Sequence, residues 1–175
     1  MKILGLLRHA KSDWGQSDKR DFDRGLNERG CKGAALIGQH IRDHGVKWAK
    51  LVASPAERVK RTLEHADLGI APQWDRRLYL ASTDTIGDVI REEGGEAETL
   101  LLAGHNPGFG DMIFDLVDPK NENDLFDEAK VKFPTAAFAV FELDIDDWAD
   151  IKDGCGKLVH FARPRDLDPD LGPEY

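Results

Sequence analysis

At 175 residues and 19.5 kDa the chain has room for one ordinary domain around a single core. Hydrophobic content of 41% beside 33% charged residues describes a soluble globular protein, and a net charge of -9 with a pI near 5.1 argues against a nucleic-acid or anionic-membrane surface. An anionic ligand would need a local cluster of bases. The two cysteines, Cys31 and Cys155, fit neither a CxxC motif nor a disulfide framework. The apolar run after Lys2 is broken by Arg8 before a signal-peptide core of ~7–15 residues is complete. No segment approaches the ~20 apolar residues of a membrane span, so the expected location is cytoplasmic.

In chain order, residues 2–8 form an apolar run with the composition of a strand buried on both faces, ending abruptly in Arg8-His9. Residues 12–27 are polar and read as a long loop. A helix is predicted from Asn27 or Glu28 to His44, with Ala34, Ala35, Ile37 and Ile41 inward and Gly45 as its stop. A second apolar strand at 49–53 runs into Ser54-Pro55 and a helix over 56–65. Residues 74–81 read as an irregular connection or short strand. A helix over 83–93 follows, with Ile86, Val89 and Ile90 inward. A third apolar strand at 99–103 stops at Gly104-His105-Asn106-Pro107-Gly108, before a helix over 109–117. Residues 118–132 read as an acidic, irregular insertion, then strands at 138–143 and 157–161 close enough to form a hairpin. The expected organisation is one domain over 1–163 and a Pro/Asp-rich tail over 164–175, for which no element is predicted. The fold class is α/β: a three-layer αβα sandwich with a mainly parallel central sheet and an antiparallel edge strand.

Three apolar strands thus end in residues suited to one task. Arg8-His9 follows the first, Ser54-Pro55-Ala56-Glu57-Arg58 the second and His105 the third. Parallel strands would bring these ends to one sheet edge, where open α/β sheets bind ligands. Guanidinium groups grip phosphate oxygens bidentately, and Arg58 lies near a helix N-terminus, whose dipole favours an anion. An unprotonated histidine there can attack phosphorus and form a covalent intermediate. Ser12 and Asn106 are candidate hydrogen-bond donors to the phosphate, with a plain turn role as the alternative for each. His40 and His44 share a helical face at metal-ligand spacing, but no third ligand is evident; a solvated pair is expected. Trp14 either lines a substrate entrance or packs over the sheet edge.

The segments Leu7-Arg8-His9-Ala10-Lys11-Ser12, Ala53-Ser54-Pro55-Ala56-Glu57-Arg58 with Thr62, and Gly104-His105-Asn106-Pro107-Gly108 together resemble the histidine phosphatase superfamily, specifically its small SixA-type phosphohistidine phosphatases. Arg24-Gly25-Leu26-Asn27-Glu28-Arg29-Gly30 and Phe133-Pro134-Thr135 extend the resemblance over nearly the whole chain. The resemblance implies His9 as nucleophile, Arg8, Arg58 and His105 as phosphoryl ligands, and neither metal nor organic cofactor. It implies hydrolysis of protein phosphohistidine through a phosphohistidine intermediate on His9. Mutase-like relatives carry a glutamate that protonates the leaving oxygen; Leu80 holds that place here, which fits an N–P substrate whose nitrogen is protonated before cleavage. Asp13, Asp84 and Asp88 are the alternative proton sources. Two other readings stand: a phosphomonoesterase acting on a small phosphorylated metabolite, and a non-catalytic phosphate-binding module. Neither nucleic acid nor membrane is an expected partner.

Overall fold

The structure, a computed structural model, describes residues 1–15 and 18–172; parts of the expected 12–27 loop and of the expected tail therefore lie outside the described residues. Its centre is a six-stranded sheet built from β1 (Lys2–Arg8), β2 (Lys50–Ala53), β3 (Pro72–Trp74), β4 (Thr99–Gly104), β5 (Phe138–Leu143) and β6 (Gly156–Ala162), in the order β3-β2-β4-β1-β5-β6. The strands β3, β2, β4 and β1 are parallel. β5 pairs antiparallel with both β1 and β6. The three-layer α/β architecture read from the sequence is the one observed.

The apolar runs explain why the sheet is sandwiched. In β1, Leu4 and Leu6 enter the core on one face while Leu7 enters the core on the other. β4 alternates likewise, with Leu100 and Leu102 on one side and Leu101 and Ala103 on the other. Helices α1 (Glu28–His44) and α2 (Glu57–Ala66) cover one face; α3 (Thr83–Glu93), α4 (Gly108–Leu116) and α5 (Asp124–Val131) cover the opposite one. Right-handed crossovers require this division. The chain steps in one direction from β1 through β2 to β3, and α3 then carries it back to β4.

Local signals set the helix ends. Asn27 Oδ1 accepts from Gly30 N at 2.8 Å to cap α1, and Gly45, at φ 99°, ends it in a conformation that side chains resist. Ile37 and Ile41 are buried against the sheet, each contributing about 2 kcal/mol by burial. Ala35 is not an inward position; it is exposed. At the start of α1, a Cβ on Gly30 would lie 2.0 Å from the Lys11 carbonyl oxygen, so only glycine lets the segment after β1 lie against the helix.

Two segments hold more structure than their composition indicated. The acidic insertion contains α5, capped by Asn123, whose side chain accepts from Phe126 N; Phe126 and Ala129 pack into the core. Residues 164–172 are not structureless: Pro164–Leu167 form one helical turn, α6, with Pro164 buried. Arg29 Nη1 and Nη2 donate to the carbonyls of Asp170 and Gly172 at 2.9 and 2.7 Å, fastening this segment to α1.

Candidate active site

The site follows from strand register. Arg8 lies opposite Gly104, and Ala53 opposite Ala103, so β1, β4 and β2 end together at their carboxyl edge. The residues that follow, His9, His105 and Ser54, are held there by the backbone: His9 N donates to Gly104 O and Ser54 N to Ala103 O, both at 3.0 Å. His9 and His105 face a cavity of roughly 470 Å³. All six residues selected from sequence line it: Arg8, His9, Ser12, Arg58, His105 and Asn106. Trp14 also lines the cavity while remaining 75% exposed, with the Arg24 guanidinium stacked 3.5 Å from its ring centre.

His9 is buried, and its Nδ1 lies 2.7 Å from the Ala10 carbonyl oxygen. A carbonyl only accepts, so Nδ1 carries the proton and the neutral ring keeps its lone pair on Nε2. The imidazole stays neutral because its pKa is pushed down to about 3. Burial is the main cause; the Ala10 bond acts in the opposite direction, and the charges of Arg8, His105 and Arg58 lower it further. A buried, uncharged imidazole with a fixed tautomer has the free lone pair that nucleophilic attack requires.

His105 stands 5.3 Å from His9 between ring centres. Its Nε2 lies 2.8 Å from Ser54 Oγ, and its Nδ1 is buried with no hydrogen-bond partner among the described residues. Burial, with Arg58 and Arg8 adding to it against the pull of Asp21, pushes its pKa down to about 3. The unliganded site therefore holds two neutral histidines at neutral pH. A dianionic phosphoryl group beside His105 would favour its protonation.

The arginines are anchored by hydrogen bonds to Asp21 and to the backbone. Arg58, 3% exposed, donates from Nη1 to the Asp21 carbonyl at 2.8 Å and from Nη2 to Asp21 Oδ2 at 3.0 Å. Asp21 also accepts from Arg24 Nη2 at 2.8 Å and from the Tyr79 hydroxyl. Its burial raises the carboxyl pKa, yet the bonds from Tyr79, Arg24 and Arg58 outweigh that and hold it well below the ordinary range. Arg8 Nη1 donates to the Phe133 carbonyl at 3.1 Å. Buried N–H groups at Arg8 Nε, Arg24 Nη1 and Arg58 Nε have no partner among the described residues. Since buried donors are rarely left unsatisfied, their gathering around one cavity marks it for an oxyanion.

Asn106 is largely committed to backbone groups of α4 and of the segment before β5. Its Oδ1 accepts from Gly110 N at 3.1 Å and its Nδ2 donates one hydrogen to Phe133 O at 2.8 Å. Leu80 lines the cavity, 53% exposed, at φ 51°. None of Asp13, Asp84 and Asp88 lines it, and neither does any other described Asp or Glu. Asp13 caps the turn at Gly15, and Asp88 pairs with Arg91 at 3.2 Å.

Sequence reasoning had no role for Asp21 or Tyr79, nor for Ser54 and Thr62 beyond their places in a motif. Thr62 Oγ1 accepts from Ala10 N at 2.8 Å and donates to Arg58 O at 2.7 Å, tying the loop after His9 to α2. It also left His40 and His44 as a solvated pair. His160 of β6 joins them: its Nε2 lies 2.7 Å from His40 Nε2, and its ring centre is 4.1 Å from that of His44. Among the described residues no three His, Cys, Asp or Glu side chains are grouped so as to hold a metal ion.

These features define a class: an α/β protein whose parallel strand ends present a neutral histidine and buried guanidinium groups to a pocket for an oxyanion. Residues 4–79 match the histidine phosphatase superfamily (branch 1). Over 160 residues the chain is 32% identical to an uncharacterized protein of Mycobacterium tuberculosis, covering 91% of this chain and 100% of the relative. A structure named for the phosphohistidine phosphatase SixA, from Nakamurella multipartitia, superposes with a TM-score of 0.80 at 28% identity, covering 93% of this chain and 96% of that one. A second of that name, from Agrobacterium tumefaciens, gives a TM-score of 0.76 at 28% identity, covering 93% and 98%. The chain belongs to the histidine phosphatase superfamily, branch 1, and its fold closely matches the SixA-type phosphohistidine phosphatases.

Proposed function

We propose that the chain is a phosphatase that hydrolyses phosphohistidine on a protein, through a covalent phosphohistidine intermediate on His9. The observation that carries this reading is the His9 tautomer: Nδ1 is bound to the Ala10 carbonyl, and the basic Nε2 remains for attack within a cavity shared with Arg8, Arg58 and His105. Nε2 attacks phosphorus as the substrate's N–P bond breaks, and the departing imidazole leaves with the proton it acquired before cleavage. Arg8, Arg58 and His105 hold the phosphoryl oxygens and balance their charge, the task a divalent cation performs in other phosphoryl-transfer sites. Water then attacks the phosphorus on His9, returning free imidazole and inorganic phosphate.

The choice of a phosphoramidate over an ester rests on Leu80 and on the lack of a carboxylate among the described lining residues. An alkoxide leaves poorly without an acid to protonate it, whereas a phosphohistidine nitrogen accepts its proton from solvent. The test pairs a phosphorylated histidine protein with a panel of alkyl phosphate esters. The reading expects turnover of the first to exceed the second by about 100-fold, the size of a general acid's contribution. Equal turnover would make the chain a phosphomonoesterase. Tight phosphate binding with no turnover would make it a binding module.

A further inference from the structure

The active-site cavity changes character from its interior to its mouth. His9, Arg58 and His105 line it and are buried, whereas Trp14 and Leu80 line it at 75% and 53% exposure. Buried lining residues mark the depth of a cavity and exposed ones its mouth. The groups suited to a phosphoryl group therefore lie deep, with two large apolar side chains outside them. Single exposed apolar residues are common on protein surfaces, but two at one cavity mouth make a surface that a ligand can use.

The fold holds Trp14 in place. Ser12 pairs with Leu26 in an antiparallel bridge, and Asp13 N donates to Gly25 O at 2.9 Å, so the backbone before Trp14 runs beside that of Arg24. The Arg24 guanidinium lies 3.5 Å from the indole ring centre. It is bonded in turn to Asp21, the carboxylate that also holds Arg58. One face of the indole is thus covered, and 75% exposure requires the other to be open. Leu80 sits at φ 51°, a left-handed conformation that costs a leucine free energy, and 53% exposure gives it little core packing in return.

We propose that Trp14 and Leu80 form a subsite for the imidazole ring of the substrate, with the indole stacking on the ring whose nitrogen carries the phosphoryl group. The inference rests on the phosphohistidine-phosphatase reading and adds to it the recognition of the leaving group. In phosphoryl transfer the attacking and leaving atoms lie roughly in line across phosphorus. His9 attacks from the buried side, so the leaving ring points to the mouth, where Trp14 and Leu80 are. A planar aromatic ring matches an open indole face; an alkylamine does not.

Two peptides of one sequence, carrying either phosphohistidine or phospholysine, test it, since both have an N–P bond and only the first has a ring. Phosphoramidate is a second ringless reference. Trp14→Leu should lower the ratio of kcat/KM for phosphohistidine to that for either ringless substrate by about fivefold, chiefly by raising KM for phosphohistidine. Trp14→Phe, which keeps an aromatic face, should restore most of that ratio. Loss of a merely structural contact with Arg24 would slow all three substrates alike and leave the ratio where it was. An unchanged ratio in Trp14→Leu, or an equal fall in Trp14→Phe, overturns the subsite while leaving the phosphatase reading in place. Failure of the wild-type protein to hydrolyse any of the three substrates overturns both.

Discussion

The molecule contains two groups of histidines, and each includes imidazoles held away from protonation. His9 and His105 sit at the carboxyl edge of the sheet; His40, His44 and His160 sit between α1 and β6. Burial is the leading cause of the lowered pKa at His9, His105, His44 and His160. A depressed histidine is therefore no sign of a site by itself. The surroundings differ. In the first group Arg8 and Arg58 add positive charge, and the side chains with unpartnered buried N–H groups line a common cavity. In the second the histidines face one another and the Phe138 ring, so their mutual repulsion works against charging without creating a place for a ligand. The difference separates two histidines that line a cavity with arginines from three that pack on one another.

The largest effect that would break this contrast is on turnover. His9→Ala is expected to lower kcat by about 10³ or more, while His160→Ala leaves it within about threefold, measured on one phosphohistidine substrate. Comparable losses in the two variants would mean that the second cluster takes part in the chemistry. Ser54→Ala removes the partner of His105 Nε2 and should cost about tenfold in kcat/KM by loosening that ring, with folding preserved by circular dichroism.

The pH behaviour sharpens the comparison. With both site histidines pushed down to about 3, neither of them titrates in the neutral range in the free protein. Once the substrate's ionisation is divided out, kcat/KM should be level from about pH 5 to 8. Any alkaline limb should appear in kcat alone, where bound phosphoryl raises His105. The second cluster acts on stability. Burial pushes the His160 pKa down to about 4 in the folded protein, below the ordinary imidazole value of 6.5, so the unfolded chain takes up a proton first. Stability is then complete above about pH 6.5 and is lost as pH falls toward about 4. His160→Phe should flatten that loss in urea titrations without removing it, because His9 and His105 act with the same sign.

The sequence revealed the strand ends more fully than what braces them. The apolar runs before Arg8, Ser54 and His105 report strands directly, and parallel pairing brings their ends together; hence all six selected residues line one cavity. Asp21 and Ser54 gave no such signal, since each acts across a contact 37 or 51 residues away in the chain. His160 was missed for the same reason, the third histidine coming from a separate strand. In α5, charge concealed the helix: Phe126 and Ala129 are its core-facing pair, at a spacing of three, amid acidic residues. The segment after β6 was read as structureless from its prolines and aspartates, yet Pro164 starts α6 and Asp166 caps it through Arg163 N at 3.0 Å.

The account stands most directly on which nitrogen of His9 receives phosphorus. Rapid mixing with a phosphohistidine substrate, quenching in base and ³¹P NMR of the recovered protein distinguish the two phosphohistidine isomers. Because Nδ1 is bound to the Ala10 carbonyl, the trapped phosphate should be on Nε2 of His9 and absent from His9→Ala. Phosphate on Nδ1, on another residue, or turnover with none trapped on His9 under conditions where hydrolysis of the intermediate is slow would contradict it.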